Sequence, residues 1–139
     1  MKNSENILSV SAKRNDLWFL GDIVIDKFYL KFIREYAERF RTVNLVLGNH
    51  DHELLPGYAV QNGINLFGIV SKYKGWISHC PIHPQEFYQK KFNIHGHLHR
   101  TIVLDENGEP DKRYINVSCE QINYKPISLG QIKSKVDSL

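Results

Sequence analysis

LWFLGDIVIDKFYLKFIREYAERFRTVNLVLGNHD, Leu17–Asp51, changes its hydrophobic period twice. It opens with LWFLGDIVI, a dense apolar run rich in aromatic and branched residues, the pattern of a buried strand ending near Gly21-Asp22. From Asp26 to Phe40 the period is different. Tyr29, Phe32, Ile33, Tyr36, Ala37 and Phe40 recur every three or four residues, with Lys31, Arg34, Glu35, Glu38 and Arg39 between them. That is an amphipathic helix, with Asp26 placed to cap it. VNLVL, Val43–Leu47, is a second buried strand closed by Gly48. Strand, helix, strand is a βαβ unit, so these two strands should run parallel and the fold should be α/β.

Outward from this unit the signals are shorter. Residues 1–14 are polar around Ile7, Leu8 and Val10 and read as irregular or as a partial helix. LLPGYAVQNG after the second strand reads as loop. INLFGIVSKYKGWISHCP reads as two strands with a turn near Lys74-Gly75, and FNIHGH as a further strand. RTIVLDENGEPDKRYINVSCE reads as a hairpin around Asn107-Gly108. A short helix is expected from Ile127 onward.

The chain has 139 residues, 42% of them hydrophobic and 24% charged, which suits a single domain spanning 1–139 with one real core. A net charge of +3 permits an anionic substrate without requiring one. The densest basic stretch, around Lys72 and Lys74, is too slight for a nucleic-acid-binding surface, leaving nucleic acid as substrate only. Cys80 and Cys119 are too few and too far apart for a disulfide framework. A reducing cytoplasm is therefore the expected setting, and no segment approaches the roughly 20 apolar residues of a membrane span.

All seven histidines lie between His50 and His99, beside Gly, Pro or Asn at expected strand ends. Strand ends and the loops leaving them are where α/β folds build their sites. The donor types suit a divalent cation. Asp22 follows Gly21, and its two carboxylate oxygens can bridge a metal pair. Asn49 offers a neutral carbonyl oxygen. His79, His97 and His99 offer imidazole nitrogens suited to Zn, Mn, Fe or Ni. If HGHLH is extended, His95, His97 and His99 share one face; a tight turn at Gly96 would instead direct His97 and His99 to two neighbouring metals. Mixed oxygen and nitrogen donors without a cysteine set favour an open catalytic centre over a structural zinc site. Three consecutive residues cannot all face one ion. The division we expect is Asn49 on metal, His50 toward substrate as general acid, and Asp51 orienting His50. His52 and His83, taken alone, read as structural.

Four motifs in order, Gly21-Asp22, Gly48–Asp51 (GNHD), Ser78–Pro81 (SHCP) and Gly96–His99 (GHLH), resemble those of calcineurin-like metallophosphoesterases. INVSCEQINYKPISL resembles the closing strand and loop of the small phage- and bacterial-type members. The resemblance implies a layered sandwich of mixed sheets flanked by helices. It also implies hydrolysis of a phosphomonoester or phosphodiester by a metal-activated hydroxide. Carried over by residue, Asp22 bridges the metals, Asn49, His79 and His97 complete one site, and His99 belongs to the other. His50 becomes the acid, supported by Asp51.

The family's opening strand ends in Asp-x-His, which nothing here matches, since no histidine precedes His50. The expectation is an N-terminally truncated fold with one well-liganded metal site and one incomplete site. Its other readings are a catalytically impaired metal-binding or interaction subunit, or one piece of a split phosphoesterase. The edge of LWFLGDIVI would then be covered by a second polypeptide, by another copy of the chain in a homo-oligomer, or by residues 5–11.

Overall fold

The computed structural model describes residues 2–137. The chain divides after Gly68 into two compact units, each built on one sheet.

The first unit runs α1 (Lys2–Ser9), β1 (Asp16–Leu20), a 3-10 turn (Lys27–Tyr29), α2 (Leu30–Arg39), β2 (Thr42–Val46), α3 (Leu55–Gln61) and β3 (Asn65–Phe67). Its strands lie in the order β1-β2-β3, and both pairings are parallel, with Leu17 opposite Val43 and Val46 opposite Phe67. The βαβ expectation therefore holds. The Asp26 carboxylate caps the 3-10 turn by accepting from Phe28 N at 2.9 Å. Ile33 and Tyr36 on α2 are buried with Leu17, Phe40, Val43, Leu45, Leu55, Ala59 and Ile64 in one apolar cluster. Full burial of such side chains contributes about 1.5–3 kcal/mol each. α1 joins this cluster through Ile7 and Leu8, and Tyr36 donates to Ser4 Oγ at 3.1 Å. Residues 5–9 are thus helical and do not form a strand covering β1.

The second unit runs β4 (Val70–Lys72), β5 (Gly75–Ser78), a 3-10 turn (Pro84–Glu86), β6 (Asn93–His95), β7 (Tyr114–Asn116) and α4 (Leu129–Asp137). The strand order is β4-β5-β6-β7; β4 and β5 are antiparallel, while β6 runs parallel to both β5 and β7. Ile77, Phe87, Phe92, Ile94, Ile115 and Ile132 are its buried apolar residues.

Three local readings are corrected. The expected loop LLPGYAVQNG contains α3, because Pro56 sits in the first turn, where a missing N–H costs nothing, and Leu55 and Ala59 bury one face. The run after Ile64 forms three strands. β3 leaves to pair with β2, and β4 and β5 form a hairpin whose turn, Tyr73-Lys74, has φ of 55° and 66°. Two left-handed residues match the twist of the flanking strands, even without the usual Asn-Gly. The expected hairpin around Asn107-Gly108 shrinks to one bridge, Leu104 with Pro110. Pro110 has no N–H to extend a ladder, and Tyr114–Asn116 pairs with β6 instead.

Candidate metal centre

In the first unit, Gly21 and Asp22 leave β1 with φ of 91° and 53°, and Gly48–Asp51 leave the adjacent β2. The two turns are locked together by one carboxylate. Asp51 Oδ1 accepts from Ile23 N at 2.7 Å and Val24 N at 3.0 Å. Asp51 Oδ2 accepts from Asp22 N at 3.0 Å and Gly48 N at 2.7 Å. This corrects the expected role of Asp51: its carboxylate holds four backbone amides and makes no hydrogen bond to the His50 imidazole. His50 is tied by its backbone, with His50 N donating to Asp22 Oδ1 at 2.8 Å, and its side chain is exposed. Asn49 is also exposed. Gly48 is required here for contact distance. A Cβ at that position would lie 2.3 Å from both Asp22 N and Asp22 Oδ1.

In the second unit, His79 follows β5, while His97 and His99 follow β6. HGHLH is not extended. Leu98 N donates to Gly96 O at 2.7 Å, closing a three-residue turn around His97, whose φ is 66°. A turn of that hand about a non-glycine residue is rare and strained. His97 Nδ1 and His79 Nε2 stand 3.2 Å apart with the rings at 72°. Cys80 joins them, the three ligand atoms all lying within 4.8 Å of one another.

The SHCP turn is held from below by Asn93, which is fully buried. Asn93 Nδ2 donates to Ser78 Oγ at 3.0 Å, Ser78 Oγ donates to Cys80 O at 2.6 Å, and Asn93 Oδ1 accepts from Ile82 N at 2.8 Å. Gly96 N donates to His79 O at 3.0 Å, joining the two histidine turns.

His99, at φ 50°, is held separately. Its carbonyl accepts from Asn116 Nδ2 at 3.2 Å and Gln121 Nε2 at 3.1 Å, and its Nδ1 meets Glu120 Oε1 at 3.0 Å. The Glu120 carboxyl is held below its usual range, first by a backbone hydrogen bond and also by His99, against the opposing effect of burial. A carboxylate on Nδ1 fixes the tautomer and leaves Nε2 as a lone pair for a cation.

His95 takes no part in a shared histidine face. It is fully buried, and its Nδ1 lies 2.8 Å from Gly96 O, so that nitrogen carries the proton. Burial, and then the neighbouring His97 and His79, lower its pKa and keep it neutral, although the Gly96 contact opposes them. His52 and His83 are structural as expected, their Nδ1 atoms accepting from Leu54 N and Gln85 N. Sequence reasoning missed Cys80, Asn93 and Glu120. Cys80 carried a signal, standing next to His79 in SHCP. Nothing in the linear order ties Asn93 or Glu120 to the histidines.

These donors fit a divalent cation. Imidazole nitrogens bound at ~2.0–2.1 Å at tetrahedral or octahedral angles stand roughly 2.8–3.4 Å apart, which brackets the His79–His97 separation. A cation placed between these two nitrogens would meet both of them.

The sequence matches the calcineurin-like phosphoesterase family over residues 3–126, through both units, and the chain belongs to that family. It is 32% identical to an uncharacterized protein, MJ1445, from Methanocaldococcus jannaschii, over 146 residues covering 99% of this chain and 73% of the relative. A crystal structure of a protein of unknown function, AQ665, from Aquifex aeolicus shares the fold at a TM-score of 0.63 and 23% identity. That likeness covers 95% of this chain and 82% of the other. The α/β fold is thus the family's own, and the family implies divalent metal. No helix among the described residues is long and apolar enough to cross a membrane.

Proposed function

We propose that this chain hydrolyses a phosphomonoester or phosphodiester with divalent cations as cofactors. The ligands we assign are Asp22 and Asn49 in the first unit and His79, His97 and His99 in the second. The observation that carries this reading is backbone strain. Asp22, His97 and His99 have φ of 53°, 66° and 50°. Such conformations cost a non-glycine residue about 1–3 kcal/mol, persist only where the surroundings enforce them, and cluster at functional sites. Here the enforcing groups are Asp51, the Gly96–Leu98 turn, and Asn116 with Gln121.

Manganese, iron, nickel and zinc all suit these donors. When bound, such cations neutralise phosphate oxygens and acidify a water. The protein's own contribution is placement. Asp51 fixes the Asp22 and Gly48 turns. The exposed His50 imidazole, beside a ligand and not itself one, donates the proton to the leaving oxygen. Phosphate esters, including nucleic-acid ends, are the substrate class. A second polypeptide or another copy of the chain laid against β1, the outer strand of its sheet, would extend that sheet. Solution mass of the metal-loaded protein measures this.

The test is metal content and hydrolysis of bis-p-nitrophenyl phosphate and p-nitrophenyl phosphate. His97→Ala should lose metal. His50→Ala should keep metal and lose about a hundredfold in turnover. A chain that takes up metal yet hydrolyses neither ester is a binding module, and the hydrolase reading falls.

A further inference from the structure

The His79–Cys80–His97 cluster holds one donor that the ligand set above does not use. We infer that the Cys80 thiolate is a ligand of a cation held by His79 and His97; this rests on the reading that those two histidines bind metal. Three features support it. Cys80 Sγ lies within 4.8 Å of both imidazole donor atoms. Across a cation the donors would stand at most ~4.4 Å apart, from a metal–sulfur bond near 2.3 Å and a metal–nitrogen bond near 2.1 Å, so a small closing movement suffices. Cys80 is exposed at the surface of the turn, where a cation from solvent can reach it.

The backbone under it is rigid. The Asn93–Ser78–Cys80 relay anchors the Cys80 carbonyl, so the movement falls on the side chain. Binding converts the thiol to thiolate and releases one proton to solvent, and the lost S–H is replaced by a sulfur–metal bond. A sulfur donor beside two imidazoles favours zinc, cobalt(II) or iron(II) over magnesium or manganese. The centre thereby gains a chemical vulnerability, because a thiolate released from metal is open to alkylation and oxidation. Cys119 is the internal comparison. It too is exposed, and it stands outside the His79–Cys80–His97 group, so its labelling should not follow metal binding there.

The experiment uses cobalt(II) on the purified chain and on Cys80→Ser. A ligating thiolate gives a near-ultraviolet sulfur-to-cobalt charge-transfer band, present in the parent and lost in Cys80→Ser, while the visible cobalt bands persist in both. Zinc affinity of Cys80→Ser should drop about tenfold or more, the usual scale for losing support at a metal centre. Iodoacetamide labelling, read by peptide mapping, should slow at Cys80 on zinc saturation and stay constant at Cys119. Cobalt uptake without the charge-transfer band overturns the inference even if labelling slows, and leaves the histidine site standing. Failure of any cobalt or zinc uptake overturns both.

Discussion

Replacing Asp51 with asparagine separates a scaffold from a catalytic helper. The carboxylate accepts four backbone N–H groups, two on each oxygen, at 2.7–3.0 Å. An amide keeps one acceptor oxygen and turns the other into a donor. In either orientation, Asp51→Asn strips two amides of their acceptor and faces them with N–H groups. Leaving a donor unsatisfied costs about 1–3 kcal/mol. These sites are only half-buried, so the lower half of that range applies to each of the two, for a total of roughly 2–4 kcal/mol. With a urea slope of about 2 kcal/mol per molar, the midpoint should fall by roughly 1–2 M. Trp18 lies in the first unit and Trp76 in the second, so fluorescence in a Trp76→Phe background reports the affected unit. His50→Ala is the control. Its side chain is exposed and should shift stability by less than about 0.5 kcal/mol. Were Asp51 to act through the His50 imidazole, Asp51→Asn would lower turnover and leave the midpoint in place. A midpoint within about 0.3 M of the parent, with an unchanged slope, refutes the scaffold assignment.

Gly48→Ala forces a methyl against Asp22 N and Oδ1 at 2.3 Å; it should cost about 1–3 kcal/mol and weaken metal binding, measured by denaturation and by metal titration. Asn93→Ala removes the buried anchor of the SHCP turn and should cost about 2–4 kcal/mol, with zinc affinity falling about tenfold because His79 loses its mooring. Asp111 accepts from Arg113 N and Nε at 3.0 Å and from Nη2 at 2.7 Å, and chiefly these bonds hold its carboxyl below the usual range. The folded pKa is depressed, so the stabilisation is complete above the unfolded value of ~3.9 and disappears as pH falls through the folded value. The parent should therefore exceed Asp111→Asn by ~0.5–1 kcal/mol at pH 6, narrowing below about pH 4; a gap that widens in acid would contradict this.

The parts legible in the sequence were those with a local period or a local motif. Leu17–Leu47 declared its strand, helix and strand because each element buries its own repeat. LPGYAVQ did not, because a seven-residue helix has barely two turns of period and starts on Pro-Gly, which reads as a break. The RTIVL and RYINV runs both look like strands, yet the second spends its hydrogen bonds on β6, a partner some twenty residues back. Non-local pairing of that kind leaves no mark in the order of residues. For the candidate site, the motifs named the histidines but not what fixes them. Asn93 and Glu120 become relevant only once β6 and β7 lie side by side.

GNHD shows why adjacent residues in one motif need separate physical roles. Gly48 is there because Asp22 approaches to 2.3 Å from where a Cβ would be. Asp51 is there because the β1 and β2 exits leave four amides without ladder partners, and one carboxylate meets them all. Asn49 and His50, the two residues between, are exposed. The same economy recurs in IHGHLH. His95 turns inward and is buried, and Gly96 supplies the carbonyl and N–H that fold the turn. His97 and His99 emerge on left-handed backbone. In both motifs the residues closest in kind to their neighbours divide into those that hold the loop and those that the loop presents. Substituting the first group should move stability before it moves chemistry, and substituting the second should do the reverse.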